Sequence, residues 1–330
     1  MYSIKKSLLL ALSVMSFTLT GCQKENTNPN AASNPDAKAE TALKTLSIGY
    51  QKASINVVIA KENKLLEQAF PNLDIKWYEF PGGPQILEAL AVGSVDIGTT
   101  GDTPPVYAQA GGKTLNYIAY ETAKPNSSAI LIPQNSTIKT LSDLKNKRVA
   151  VLRGSSSHYL LVRALQKANL TWSDIKPIWL SPADARAAFQ KGAIDAWAIW
   201  DPYYAAAELE DHAKVLTTGV DLSPNYTFYL GSNEILKNHP NEIKRILKQL
   251  GETDTWVWSH QPETIKLIAQ STGLSEQVSQ KFLERRPNPS HVQFVTPQVI
   301  QDQQQLADTF SNLKIIPKAI DIQQAAWSPN

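Results

Sequence analysis

From residue 46 onward the apolar positions fall into short runs with β-branched residues, separated by stretches of helical spacing. Leu46-Ser47-Ile48-Gly49-Tyr50 predicts a strand, and residues 56–68 carry Val57, Ile59, Ala60, Leu65 and Leu66 on the buried face of a predicted helix. Residues 74–80 (DIKWYEF), Val95-Asp96-Ile97-Gly98 and residues 115–120 predict three further strands. Between the first two of these lies a helix at 85–92, ended by Gly93. Strands alternating with helices imply parallel sheet joined by crossover helices.

The pattern then repeats. Residues 128–132 predict a strand. Residues 148–165 (RVAVLRGSSSHYLLVRAL) open on a buried strand, break at Gly154, pass three serines and enter a helix marked by Tyr159, Leu160, Leu161, Ala164 and Leu165. Residues 175–180 form another strand, and residues 182–189 a helix with proline in its first turn. Gly192-Ala193-Ile194-Asp195-Ala196 then echoes Gly93-Ser94-Val95-Asp96-Ile97, so two α/β lobes of similar layout are expected. After residue 230 the chain becomes mostly helical, and these long amphipathic runs are expected to pack back on the first lobe.

Composition narrows the class. Charged residues make up 19% and hydrophobic ones 42% of the 330 residues, a globular balance with room for two domains. The formal net charge is +2, and the surplus is Lys5 and Lys6; without residues 1–21 it is zero. That excludes the basic stripe of a nucleic-acid binder. The only cysteine is Cys22, so no intramolecular disulfide can form. The five histidines show no metal-ligand spacing. No cofactor is expected.

The N-terminus predicts export. Lys5 and Lys6 precede an apolar segment at 7–19, too short to span a membrane, which ends in small residues before Cys22. Leu19-Thr20-Gly21-Cys22 resembles a bacterial lipoprotein lipobox, which implies lipidation of Cys22. Residues 23–44 are polar, rich in Asn, Ala, Pro and Lys, and lack apolar periodicity, as a disordered tether would. The expected organisation is a signal peptide at 1–21, a tether at 22–44, lobe 1 at 45–127, lobe 2 at 128–230, and a return to lobe 1 at 231–330. The protein is expected at the periplasm or cell-envelope face, held to a membrane by lipid.

The chemistry-bearing loops fall at the C-terminal ends of predicted strands, the edge where open α/β sheets bind ligands. They carry Gln51, the Gly82 loop at 80–84, Thr100, Gly101, Asp102 and Thr103, then Ser155, Ser156, Ser157 and His158, and last Trp200 and Asp201. Two lobes facing each other across these loops would form a cleft that closes by hinge motion. A serine at a helix N-cap leaves backbone N–H groups at the positive end of the dipole, where a compact anion binds without a full positive charge. An ordinary serine-capped turn has the same sequence pattern.

Read together, LSIGYQK, EFPGGPQILEALAVGSVDIG, TGDTPPVYAQA, GSSSHYLLVRAL, SPADARAAFQKGAIDAWAIWDPY and YTFYL resemble the aliphatic sulfonate-binding proteins of ABC importers, over residues 46–320 or so. The resemblance implies the two-lobed type II periplasmic-binding-protein fold. It also implies a receptor, expected to be monomeric, that captures alkanesulfonates and hands them to a membrane permease and its ATPase as a sulfur source. Two positions depart from the family pattern: Asp102 stands where many relatives have Glu, and the triple serine replaces a more varied loop.

A sulfonate carries one negative charge and no proton, so it needs donors only. Gln51, Thr100, Thr103, the amides around Gly101, and Ser155 to Ser157 can supply them. His158 is a further donor under the resemblance, and a solvated surface residue without it. Asp102 is either a ligand contact or a cap of the following helix. Asp201 either meets an amine on a taurine-like ligand or accepts from loop amides. Trp200 can cover an alkyl tail, and Tyr229 either closes the tail pocket or is a core aromatic. Taurine, nitrate, an aromatic sulfonate and a thiamine precursor remain alternative ligands of the same receptor class. An enzyme on this scaffold, such as a desulfinase, would need a nucleophilic cysteine, and the one cysteine is the expected lipid site. The expectation is a binding protein and not an enzyme.

Overall fold

The computed structural model describes residues 42–328, so the leader, Cys22 and most of the tether lie outside the described residues. The strands run β1 (Thr45–Tyr50), β2 (Asp74–Glu79), β3 (Ile97–Gly101), β4 (Asn116–Glu121), β5 (Ser128–Ile132), β6 (Arg148–Val151), β7 (Lys176–Trp179), β8 (Ala196–Trp200), β9 (Lys214–Thr218), β10 (Thr227–Gly231) and β11 (Val292–Gln293). They form two sheets, ordered β11-β4-β10-β3-β1-β2 and β7-β6-β8-β5-β9, one in each lobe. β1 lies parallel between β2 and β3, and β6 parallel between β7 and β8. Each sheet also takes an antiparallel strand, β10 against β3 and β5 against β8.

Two segments cross between the sheets: residues 122–127 after β4, and residues 219–226 before β10. The second differs from the expected lobe boundary at 230. β10 pairs with β3 and β4, so it already belongs to the first lobe. Its polarity matters for the site. Being antiparallel to β3, it begins with Thr227 opposite Gly101, so its N-terminal end lies at the edge where its neighbours end.

Cores form where the periodic faces meet. Leu46, Ile48 and Ile97 pack with Val57 and Val58 and with Ile243, Ile246, Leu247 and Leu250 of the helix Pro240–Ser259, which returns to the first lobe as expected. In the second lobe Val149 and Val151 pack on Leu160, Leu161, Ala164 and Leu165 of the helix Ser156–Lys167. The predicted helix at 56–68 is in fact two, Ile55–Glu62 and Leu65–Ala69, because Lys64 takes a left-handed conformation (φ 53°) that an α-helix cannot continue through. β9 has no counterpart in the pattern reading, since its KVLTT lies at a sheet edge and is nowhere fully buried. Among the described residues no helix is long and apolar enough to cross a membrane.

Candidate functional site

The edge where the two sheets face each other encloses a cavity of about 40 Å³. A single water needs about 10–15 Å³ of such space, so the cavity admits a group of only a few heavy atoms. Gln51 reaches it from the end of β1, Thr100 and Gly101 from β3, and Ser155 and Ser156 from the loop after β6. Trp200 and Asp201 come from the end of β8, and Phe282 from the helix Glu276–Glu284.

Three helices start at this cavity. Gly83–Ala91 and Thr103–Ala110 belong to the first lobe and Ser156–Lys167 to the second; Gly83, Pro104 and Ser156 of their first turns line the wall. The starts at Gly83 and Ser156 carry N–H groups with no intrahelical acceptor and the positive end of a helix dipole, whereas the start at Thr103 brings the dipole alone, since Pro104 and Pro105 have no N–H and the Thr103 amide bonds the Asp102 carboxyl. Thr100 Oγ1 adds a hydroxyl that is fully buried and has no partner among the described residues. The lobes touch here. A Cβ added at Gly101 would lie 2.0 Å from Ser156 Oγ, and one at Gly82 would lie 2.8 Å from Leu152 Cδ2.

Several expected residues stand elsewhere. Ser155 lines the wall, yet its own donors are spent on the cap. Its amide and hydroxyl both donate to the Leu152 carbonyl (3.2 and 2.7 Å), and its Oγ accepts from His158 N. Ser156 is therefore the serine whose amide is left to the cavity, while its hydroxyl turns to the Asp102 carboxyl. Ser157 is fully buried off the cavity, its Oγ without a partner among the described residues. Thr103 donates to Asp102 Oδ1 at 3.0 Å, and Asp102 is fully buried behind the loop with no side-chain cap of the helix. Burial pushes the Asp102 carboxyl up, opposed by hydrogen bonds from Ser156 and Thr103 and by the charge of Lys124.

His158 is not a cavity residue. Its Nδ1 accepts from Gly154 N (3.4 Å) and faces Tyr107 Oη (3.1 Å), while its ring sits among Trp172, Trp179 and Phe310. Burial, with Arg153 nearby, lowers its pKa to about 3, so it stays neutral at ordinary pH. Since Tyr107 and Phe310 belong to the first lobe, the imidazole fastens the lobes together beside the cavity. Tyr229 is the core aromatic of its two readings. It lies inside β10, fully buried, and donates to Glu121 Oε1 at 2.8 Å. Asp201 accepts from Ala205 N (3.0 Å) and pairs with Arg285 (2.9 Å), whose guanidinium stacks over Tyr204. Burial raises its carboxyl, with the Arg285 charge pulling the other way.

The pattern reading missed Lys124, Ser127, Asn225, Tyr226 and Thr227, all of which line the cavity. Lys124 and Ser127 follow β4, and Tyr226 and Thr227 open β10, so topology puts both groups at the same edge as the loops that were recognised. The rule that found those loops, applied to the end of the fourth strand, points to Lys124. Only knowledge of the antiparallel return would have pointed to Tyr226 and Thr227. Among the described residues no group of His, Cys, Asp and Glu is placed to hold a metal.

Comparison with known proteins agrees with this architecture. Residues 39–275 match the model of the NMT1-like family. The chain is 47% identical over 291 residues to an aliphatic sulfonates-binding protein of Escherichia coli K12, covering 88% of this chain and 91% of that one. It is 32% identical over 324 residues to a protein of the same description from Bacillus subtilis 168, covering 97% and 93%. The alkanesulfonate-binding protein SsuA of Xanthomonas axonopodis pv. citri, solved bound to MOPS, superposes with a TM-score of 0.83 at 43% identity, over 87% of this chain and 99% of that one.

Proposed function

Since this chain belongs to the NMT1-like family and stands within it among aliphatic sulfonate-binding proteins, we propose that it is the extracytoplasmic receptor of an ABC importer for aliphatic sulfonates. The observation that carries the reading is the cavity itself. The helix starts at Gly83 and Ser156, one from each lobe, and the unpaired hydroxyl of Thr100 converge on one compact space. A sulfonate head has three acceptor oxygens and no hydrogen to give, so it satisfies donors that a protonated or neutral head would leave unpaired. Asp201 does not repel it, because Arg285 already neutralises that carboxylate. Trp200, Tyr226 and Phe282 offer apolar surface to the tail. Closure of the lobes over the ligand then gives the permease and its ATPase a shape that differs from the empty receptor.

Calorimetric titration with ethanesulfonate, longer alkanesulfonates, taurine, sulfate and nitrate tests this. Tight binding of an alkanesulfonate with weak or no binding of sulfate is expected, because the dianion brings a second charge and no tail. Binding of nitrate or sulfate without any sulfonate would reject the ligand assignment. The relatives named above are binding proteins, in keeping with a receptor and not an enzyme.

Anchoring by a lipid on Cys22 is the companion proposal, supported by the Leu19-Thr20-Gly21-Cys22 context and the polar stretch that follows. Cells fed labelled palmitate are expected to mark the wild-type chain and leave Cys22→Ser unmarked. Equal labelling of the two would remove the anchor from this site.

A further inference from the structure

We infer that Lys124, the one cation among the described residues of the cavity wall, supplies a full positive charge to the ligand head, so that capture of an anion is linked to the protonation of this lysine. The inference deepens the sulfonate reading and rests on it. Sequence chemistry alone suggested that donors without a formal charge would suffice. The structure instead puts a lysine, 7% exposed, in the cavity wall. Its ammonium is tied to Thr227 Oγ1, another wall residue, and lies 3.6 Å from Glu121 Oε2.

The charges around it come from several elements. Glu121 ends β4 and also lies 3.4 Å from Arg286, which in turn lies 3.6 Å from Asp254 of the helix Pro240–Ser259. These two cations and two carboxylates cancel as a set. Asp102, after β3, adds a buried carboxyl, and across the cavity Asp201 is paired with Arg285. Glu284 and Arg285 share a surface hollow with Lys124 on another side. The set therefore has no surplus positive charge, and burial makes the ammonium costly. Its pKa is lowered to about 8 by desolvation, with Glu121 and Asp102 opposing the shift and Arg286 adding to it.

An anion in the cavity changes that balance in one direction. It stabilises the ammonium and raises the lysine pKa, so the complex holds more protons than the empty receptor wherever Lys124 is partly neutral. The lysine's share of the affinity is then level below pH 8 and declines above it, until the raised pKa of the complex is reached; ionisation of Asp201, whose buried carboxyl is raised to about 7, acts below that range and is common to wild type and Lys124 variants. A sulfonate has no titrating group near this range, so the ligand cannot produce the effect.

The test is calorimetric titration of the full-length chain with ethanesulfonate between pH 6 and 10, in buffers of different ionisation enthalpy. Above pH 8 the wild-type dissociation constant is expected to rise about tenfold per pH unit, with about half a proton taken up by Lys124 at pH 8. Lys124→Arg is expected to retain binding and lose the pH break, since guanidinium stays charged throughout. Lys124→Gln is expected to bind about 100-fold more weakly with no break above pH 8. A wild-type affinity unchanged from pH 7 to 9.5, or a break near pH 8 that persists in Lys124→Arg, would overturn the inference while leaving the sulfonate reading intact. Failure of every sulfonate at every pH would overturn both.

Discussion

Gly101→Val is expected to weaken ethanesulfonate binding by about 10- to 100-fold while leaving the melting temperature of the ligand-free protein within about 2 °C of wild type. A Cβ at this position would stand 2.0 Å from Ser156 Oγ and 3.3 Å from Ser156 Cβ. The hydroxyl can rotate away, but the crowding between the two β-carbons remains, and valine adds branches to it. Overpacking of this kind costs about 1–3 kcal/mol. Here the cost falls only on the form in which the lobes meet, because Gly101 ends β3 of one lobe and Ser156 opens a helix of the other. The receptor escapes the clash by standing open, so the penalty is read as a smaller closed population and a proportionally weaker affinity. Gly83→Ala is the contrast. Its added Cβ would lie 1.8 Å from Thr100 Oγ1 and 2.5 Å from Pro104 Cγ, both within the same lobe, so opening gives no relief and the melting temperature itself should drop. Native affinity in Gly101→Val, or a melting loss as large as that of Gly83→Ala, would show that this contact does not report closure.

The closed form is fastened on two flanks of the cavity. Tyr107 of the first lobe meets His158 of the second, with Phe310 against the same ring. On the other flank Arg285, following the helix Glu276–Glu284, reaches Asp201 and Glu208 of the second lobe, and Lys281 lies 3.5 Å from the same Glu208. The two fastenings differ in kind. The first is a neutral hydrogen bond in an aromatic cage, indifferent to salt and, with the imidazole held neutral, to pH above about 3. The second is ionic and partly buried, and it doubles as the device that keeps Asp201 from repelling an anion. Loosening the second therefore acts on both closure and the field inside the cavity.

Much of this was legible in the chain because the periods of strand and helix are local. The repeated motif at residues 93–97 and 192–196 exposed two lobes, and strand ends marked most of the cavity wall. What stayed hidden was non-local. Whether Tyr229 faces ligand or core depends on the direction of β10, and the antiparallel pairing with β3 buries it while bringing Thr227 to the edge. His158 sits two positions beyond Ser156, the last serine at the cavity, and only the packing of Trp172, Trp179 and Phe310 around it shows where its ring goes. Lys124 is one of 32 lysines and arginines, marked only by its place just after the fourth strand; Glu121 is its near neighbour in sequence, but Thr227 and the opposing charge of Arg286 come from distant parts of the chain. Polar residues that gain meaning from partners in another lobe leave little trace in local pattern.

Arg286→Met is expected to destabilise the protein by about 3 kcal/mol, because removing one member of a buried ion pair strands the other. At this chain size that corresponds to a fall in melting temperature of roughly 5 °C. Arg286 is almost fully buried, within 2.8 Å of Ser290 Oγ and 3.3 Å of Asn56 Oδ1, and it is the cation shared by Glu121 and Asp254. In the wild type, burial pushes the Glu121 carboxyl up, but Arg286 and Lys124 outweigh it, and the group ends below its ordinary value. A carboxylate depressed in this way contributes stability above its unfolded pKa and loses it as pH falls through the folded one. Without Arg286 the balance reverses and Glu121 holds its proton more tightly folded than unfolded. The sign of its contribution reverses too: the variant recovers stability on acidification, and its deficit is larger at pH 7.5 than at pH 5. Urea unfolding at the two pH values measures this. The double variant Arg286→Met, Glu121→Gln should win back part of the loss at pH 7.5, since it no longer buries that stranded charge. A deficit under about 1 kcal/mol, or one that is the same at both pH values and untouched by the second substitution, would mean that the charges behind Lys124 are not coupled as the distances indicate.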